Sequence, residues 1–431
     1  MQMSLQPSLQ KCMSTPPPGR FLIRDRRDGR PVFRLRLAVG CRVCVTALAL
    51  ASLPTGARAA ERMGPPIPKS VLSRLVAVET DFYKVYSDLD ELRVRDMSTR
   101  LDAFTRDLDA RYDFLARSRK KKKMPVFLIQ DPVTYKTLGG QAYGVTWGDR
   151  IVVLYSAAQR DEFWHTIQHE AWHLFAHSLI AGPQGLLPGW LDEGLAEYHG
   201  ESLWTGDGFT CGVFPQNRRV RSLQRIREGR GKDFAEFVTV KAEAWSGIEN
   251  YDQGLAMMHF FLESGNTNYV HAVHVALEQA SKGRSFDKIF EKGFGRQATD
   301  LQKEYADWWS AQTEATLDRV YTEATVATLT SFLARAHGQG QRFATADEFL
   351  KAAREGALKN PPAFPLPNEL LKESLERAAK LKTWTLETDP KNSKLPQKLV
   401  LKMEDGSVVF TGVFSLDPKG RPSVRVLVTR Q

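Results

Sequence analysis

Residues 157–180 contain no glycine or proline, and they carry histidines at positions 165, 169, 173 and 177. Apolar residues recur through the same run at helical spacing, so the pattern predicts a single helix. Ser156 followed by Gln159 makes a capping box at its start, and Gly182-Pro183 stops it. Four-residue spacing on a turn of 3.6 residues stacks the histidines on one helix face. A Gly/Pro turn running to Gly189 precedes a second helix from about Trp190. Two helices close in sequence, the first with a row of imidazoles, must therefore be accommodated by the fold.

The flanking segments supply the rest of the architecture. Residues 62–70 read as a linker, and residues 76–88 alternate as one strand. Residues 90–117 have helical spacing through Leu92, Met97, Leu101, Phe104, Leu108 and Phe114. Arg119 to Lys123 is a basic run read as a solvated turn. Pro125–Gln130 and Arg150–Tyr155 are short apolar strands. Helical patterns follow at about 217–230, 251–264, 267–280, 284–292 and 298–316. A further helical stretch covers 326–382, with breaks at His337–Gly340 and Pro361-Pro362. Leu399–Met403, Val408–Phe414 and Val424–Val428 are strand-like, and Asp405-Gly406 is a hairpin turn signal. The expected class is α+β: a short mixed sheet with one central helix, a helical subdomain, a C-terminal helical region and a small antiparallel β module. The expected segments are a leader at 1–59, a strand/helix segment at 60–124, a main domain at 125–315, a helical region at 316–385 and the β module at 386–431.

Charge is unevenly placed. The formal net charge is +10, yet residues 1–60 hold ten Lys and Arg against only Asp25 and Asp28. The remaining body is nearly neutral, which removes the electrostatic case for nucleic-acid binding. A basic run ending at Arg36, a mostly apolar stretch from Leu37 to Leu53, and Ala57-Arg58-Ala59 form the three parts of an export signal. Cleavage is expected after Ala59, which places the mature chain in the periplasm, the cell envelope or the medium. Membrane attachment is expected only if the leader stays uncleaved. Cys12, Cys41 and Cys44 fall in that leader, leaving Cys211 with no internal disulfide partner. Cys211 reads as a small buried residue rather than a nucleophile.

The chemistry centres on His169-Glu170-Ala171-Trp172-His173, an HExxH motif. Imidazoles one turn apart on a helix can converge on one Zn²⁺ ion at about 2.0–2.1 Å each. Glu170, next to the first ligand, can stand beside the ion and accept a proton from water. A catalytic zinc also needs a third protein ligand and an open position. Glu193 lies twenty residues after His173, in the first turn of the next helix, and can supply that ligand. Glu197, four residues further on the same face, can accept the free N–H of a ligand histidine.

HExxH followed by Glu193 within Trp-Leu-Asp-Glu-Gly-Leu-Ala-Glu (190–197) resembles the gluzincin metallopeptidases, the class that contains thermolysin and the M1-type aminopeptidases. Closer still are exported bacterial proteins with a peptidase-MA-like domain. The resemblance covers about 125–315 and is specific at 169–198. It implies a zincin-like domain and a zinc-dependent peptidase acting on a peptide or protein. It implies His169, His173 and Glu193 as ligands, Glu170 as general base, and Glu197 as the outer partner. The Gly-x-Met-Glu-Asn motif of the aminopeptidases is absent, so a free amino-terminus specificity is not implied.

Peptide hydrolysis also needs a donor for the carbonyl oxygen, which the family takes from a Tyr or His in the helices downstream. Tyr251 is the preferred candidate, with Tyr198, His199 and His259 as others. His165 and His177 read as outer or surface residues, and His271 and His274 as surface. Met257, Met258, Phe260 and Phe261 read as core. The alternative reading is a non-catalytic, zinc-stabilised binding protein of the cell envelope. A further one is a metal hydrolase acting on another amide, such as a cell-wall cross-link.

Overall fold

The computed structural model describes residues 63–430 apart from 117–122, 180–186, 241–244, 246, 283, 285, 390–391, 393–394 and 405. The expected leader at 1–59, most of the basic run at 119–123, the Gly182-Pro183 stop and Asp405 lie outside the described residues. Among the described residues no helix is long and apolar enough to cross a membrane.

Five strands make a mixed sheet: β1 (Val76–Glu79), β2 (Tyr83–Ser87), β3 (Met124–Ile129), β4 (Gly144–Trp147) and β5 (Arg150–Leu154), in the order β1-β2-β3-β5-β4. β2, β3 and β5 run parallel, while β1 and β4 are antiparallel additions at the two edges. The single strand expected over 76–88 is instead a hairpin. Asp102, from helix α1 (Glu91–Arg111), accepts from the Thr80 hydroxyl at 2.6 Å and from Asp81 N at 3.1 Å, which holds the turn. The expected boundary at 124/125 cuts this sheet, because β2 pairs with β3 from Tyr83↔Met124 to Ser87↔Leu128.

Alternation on the central strands buries both faces. Val126, Leu128, Ile151 and Val153 face the main core. Phe127, Ile129 and Val152 face a second cluster with Tyr135 from the short helix α2 (Pro132–Thr137). Helix α3 (Arg160–Leu179) lies on the main-core face, against β4 and β5, with α4 (Gly189–Gly200) packed along it.

Downstream helices close the other side: α5 (Gln216–Arg227), α6 (Ile248–Glu263), α7 (Thr267–Ser281), α8 (Phe286–Phe294) and α9 (Ala298–Ser310). Met257, Met258, Phe260 and Phe261 of α6 are buried. Helix α10 (Glu314–Gly338) then runs unbroken through the stretch expected to separate two regions, so the 315/316 boundary falls in its first turn. Helices α11 (Ala346–Arg354) and α12 (Asn368–Ala378) follow.

The terminal sheet has four strands rather than three among the described residues: β6 (Trp384–Glu387), β7 (Lys398–Lys402), β8 (Val408–Leu416) and β9 (Pro422–Arg430), all antiparallel in sequence order. β6 begins before the expected start at 386. The sheet lies on α10 at close range, since a Cβ on Gly412 would fall 2.0 Å from the Thr330 hydroxyl. One apolar cluster extends from Val78 through Phe332 to Phe414, so the expected segments share a core.

Candidate metal centre

Helices α3 and α4 are locked in register by the residue that precedes His169. Gln168 is fully buried; its amide donates to Gly200 O at 2.8 Å and to Ser202 O at 3.0 Å, while its oxygen accepts from Arg100 at 2.9 Å. These bonds tie the middle of α3 to the C-terminal end of α4. Glu193, one turn into α4, consequently meets both histidines of the motif.

The three candidate ligand atoms form a nearly equilateral triangle. His169 Nε2 and His173 Nε2 are 3.1 Å apart, and Glu193 Oε2 lies 3.3 Å from the first and 3.4 Å from the second. Atoms about 2.0–2.1 Å from a tetrahedral ion are separated by about 3.3–3.4 Å. Glu193 Oε2 is also buried without a hydrogen-bond partner. Two nitrogen lone pairs and a carboxylate oxygen turned toward one point fit a divalent cation, and leave a costly arrangement without one.

Each imidazole is backed by an acid on its far nitrogen. His169 Nδ1 lies 3.1 Å from Glu197, and His173 Nδ1 lies 2.9 Å from Asp192. Asp192 extends its other oxygen to His177 Nε2 at 2.8 Å, and Glu197 meets His165 Nε2 at 3.2 Å. The outer histidines are thus joined to the centre through acids, and are not loose on the surface. His165–His169–Glu197 and His173–His177–Asp192 are also groups of metal-binding residue types. In both, the acid already faces the rear nitrogen of a motif histidine. Arg218 further occupies Glu197 and bonds Glu201 at 2.8 Å and Asp252 at 3.0 Å.

This charge pattern sets the protonation of the metal-free site. Burial opposes a charge on His169, but Glu193 and Glu197 outweigh it and raise its pKa to about 10. Burial likewise opposes charge on His173, and Asp192 and Glu193 raise its pKa well above the ordinary value. Burial alone would raise the acids, yet the histidines bring Glu193 down to about 2. The same opposition leaves Asp192 and Glu197 well below the usual carboxylate range, Asp192 through His177 and His173, Glu197 through Arg218 and His169.

Glu170 lies against β4. The Thr146 hydroxyl is 2.6 Å from Glu170 Oε2 and 2.8 Å from the Glu170 carbonyl oxygen. A Cβ on Gly144 would stand 3.1 Å from Glu170 Cγ and 2.6 Å from Thr166 Cγ2, so glycine leaves the room that this side chain fills. β4 has no strand partner on its outer side among the described residues. Leu154 N donates to Tyr143 O, and these residues are opposite one another in the ladder, so Tyr143 and Val145 bond inward to β5. The N–H and C=O groups of Gly144 and Thr146 therefore point to the free edge.

Tyr251 comes from α6, with its ring centroid 6.3 Å from that of His169. Burial and then the Glu193, Glu197 and Glu170 charges push its hydroxyl up to about 12. The other oxyanion candidates are engaged elsewhere. Tyr198 bonds Glu263, and His199 Nε2 meets the Tyr112 hydroxyl at 2.8 Å under a stacked Trp172. His259 Nε2 meets Gly212 O at 2.8 Å, and burial lowers its pKa to about 4. His274, expected at the surface, is half-buried against Tyr112 and Phe114, whereas His271 is exposed. Cys211 is half-buried, with Sγ 3.8 Å from His199 Nδ1, and burial pushes its thiol up to about 12.

Three residues at the centre were not singled out from sequence: Asp192, Thr146 and Arg218. Asp192 carried one available signal, since it immediately precedes Glu193 at the start of α4. Thr146 and Arg218 carried none, because only tertiary packing brings β4 and α5 to this helix pair. No family model matches the chain, and no curated protein matches it.

Proposed function

We propose that this chain is a zinc-dependent hydrolase, a peptidase of the gluzincin type with a zincin-like fold, in which Glu170 is the general base. The observation that carries this reading is the triangle of His169, His173 and Glu193, whose edges of 3.1, 3.3 and 3.4 Å match a tetrahedral ion, with Glu170 one residue from its first corner. Support for the fold comes from the mixed sheet, its antiparallel edge strand β4, and the helix α3 lying beside that edge. Zinc on three protein ligands supplies Lewis acidity that brings the pKa of water down toward about 7.

The chain's own groups do the rest. Glu197 and Asp192 hold the rear nitrogens of His169 and His173, so both Nε2 lone pairs face the centre. Glu170 accepts a proton from the attacking water and later returns it to the departing amine. Tyr251 keeps its phenolic proton at neutral pH and donates a hydrogen bond as charge develops on the carbonyl oxygen. An extended peptide or protein segment pairs with the outward groups of Gly144 and Thr146. A zinc-stabilised binding protein would need no base, and a structural ion usually closes its fourth position. Glu170 therefore favours the hydrolase reading, for a chain working after export from the cytoplasm.

The test is Glu170→Gln in the full chain, assayed on a pool of internally quenched heptapeptides with the zinc content measured in parallel. The variant is expected to keep one zinc and lose turnover by at least about a hundredfold. Full activity in the variant would remove Glu170 as base. A zinc-loaded wild type that leaves every peptide intact would remove the peptidase reading.

A further inference from the structure

Glu170 needs more than nearness to the centre, since its side chain has three rotatable bonds and a misplaced base is a weak one. Among the described residues the hydrogen bond that reaches the carboxylate comes from outside its own helix. What holds it comes from β4, twenty-four residues earlier in the chain. The Thr146 hydroxyl carries a single proton, which can go to Glu170 Oε2 at 2.6 Å or to the Glu170 carbonyl oxygen at 2.8 Å. The bond to an ionised carboxylate is the stronger of the two. It ties down Oε2 and leaves Oε1, which lies beside Gly144, as the oxygen free to accept a proton. Gly144, two residues earlier on the same strand face, provides the space for Glu170 Cγ and for Oε1, which a Cβ there would approach to 3.3 Å.

We infer that Thr146 is the positioning residue for the general base, and that it joins base alignment to substrate docking. Its hydroxyl holds Glu170 on one face of β4, while its backbone N–H and C=O lie on the free edge where an extended peptide pairs. One residue thus sets both the distance of the peptide from the centre and the orientation of the carboxylate. This inference rests on the reading of Glu170 as base, and it assigns a role that the HExxH spacing alone does not contain.

Two substitutions at Thr146 separate the roles. Thr146→Val keeps the strand backbone and the side-chain shape but lacks the hydroxyl. Expected is a kcat about ten- to a hundredfold lower on the internally quenched heptapeptides, with KM and zinc content unchanged. Thr146→Ser restores the hydroxyl and is expected to return kcat to within about threefold of wild type. In the Glu170→Gln background, Thr146→Val is expected to cost little more, because Thr146 acts through Glu170.

A Thr146→Val chain with wild-type kcat would overturn the inference, as would a Ser variant no better than Val. A multiplicative loss in the double variant would also overturn it, since it would place Thr146 in a separate role. If Glu170→Gln itself stays active, it is the parent reading that fails. Thermal melting of each variant identifies a folding defect, and the kcat ratio of Ser to Val at equal melting temperature then decides the case.

Discussion

Asp192 accepts at 2.9 Å from the imidazole of His173, and it does so from the position immediately before Glu193. Two successive acids near the start of one helix therefore face the same histidine from opposite sides. Glu193 turns toward Nε2, and Asp192 turns toward Nδ1. Glu197 stands in the corresponding place for His169, 3.1 Å from its Nδ1.

The rear acids face the far nitrogen of each ring, so under the zinc reading their loss would weaken metal binding without removing a ligand. Asp192→Ala and Glu197→Ala are each expected to lower zinc affinity by about ten- to a hundredfold. Competition with a chromophoric chelator measures this. Unchanged affinity in both would show that the rings are held by packing alone.

Protonation of the metal-free site has a definite pH dependence. His169 titrates at about 10 in the fold against an ordinary 6.5. Its raised pKa adds stability that is complete below about pH 6.5 and disappears as pH rises through 10. Glu193 works the other way: its pKa falls from 4.5 to about 2, so its contribution is present above 4.5 and is lost as pH falls through 2. Under the zinc reading, the metal would replace the protons on the histidines. The melting-temperature gap between zinc-loaded and chelator-treated protein is therefore expected to widen from pH 6.5 to 10. Narrowing over that interval contradicts the charge pattern described above.

Tyr251 packs its ring 6.3 Å from that of His169, and burial holds its hydroxyl pKa up at about 12. Tyr251→Phe is expected to lower kcat by about a hundred- to a thousandfold, with KM and zinc content little changed. Steady-state kinetics on the quenched heptapeptides read this directly. If Tyr251→Phe keeps wild-type kcat, the carbonyl oxygen is served by another donor.

The terminal sheet depends on a close approach at Gly412. A Cβ there would lie 2.0 Å from Thr330 Oγ1 and 3.0 Å from Thr330 Cβ, in the middle of α10. Gly412→Ala is expected to destabilise the chain by about 1–3 kcal/mol through overpacking. Urea unfolding followed by tryptophan fluorescence measures the shift. A variant as stable as wild type would mean that the sheet can lift from α10 at no cost.

What the sequence determined by itself was periodic. Helical spacing carries His169, His173 and their neighbours to one face at any tertiary arrangement, because i and i+4 are always a turn apart. The strands at 124–129 and 150–154 are legible as short apolar runs, and most of the helical pattern is legible from its period. Tertiary structure alone decided which acid meets which nitrogen, since Asp192 and Glu193 differ by one residue and by about 100° around their helix. It decided that Thr146 from β4 reaches Glu170, that Tyr251 and not His199 or His259 stands near the centre, and that 76–88 folds back at Thr80. It also ran one helix through the expected boundary at 315/316. These are contacts between segments far apart in the chain, and no local period encodes the partner of a side chain across a fold.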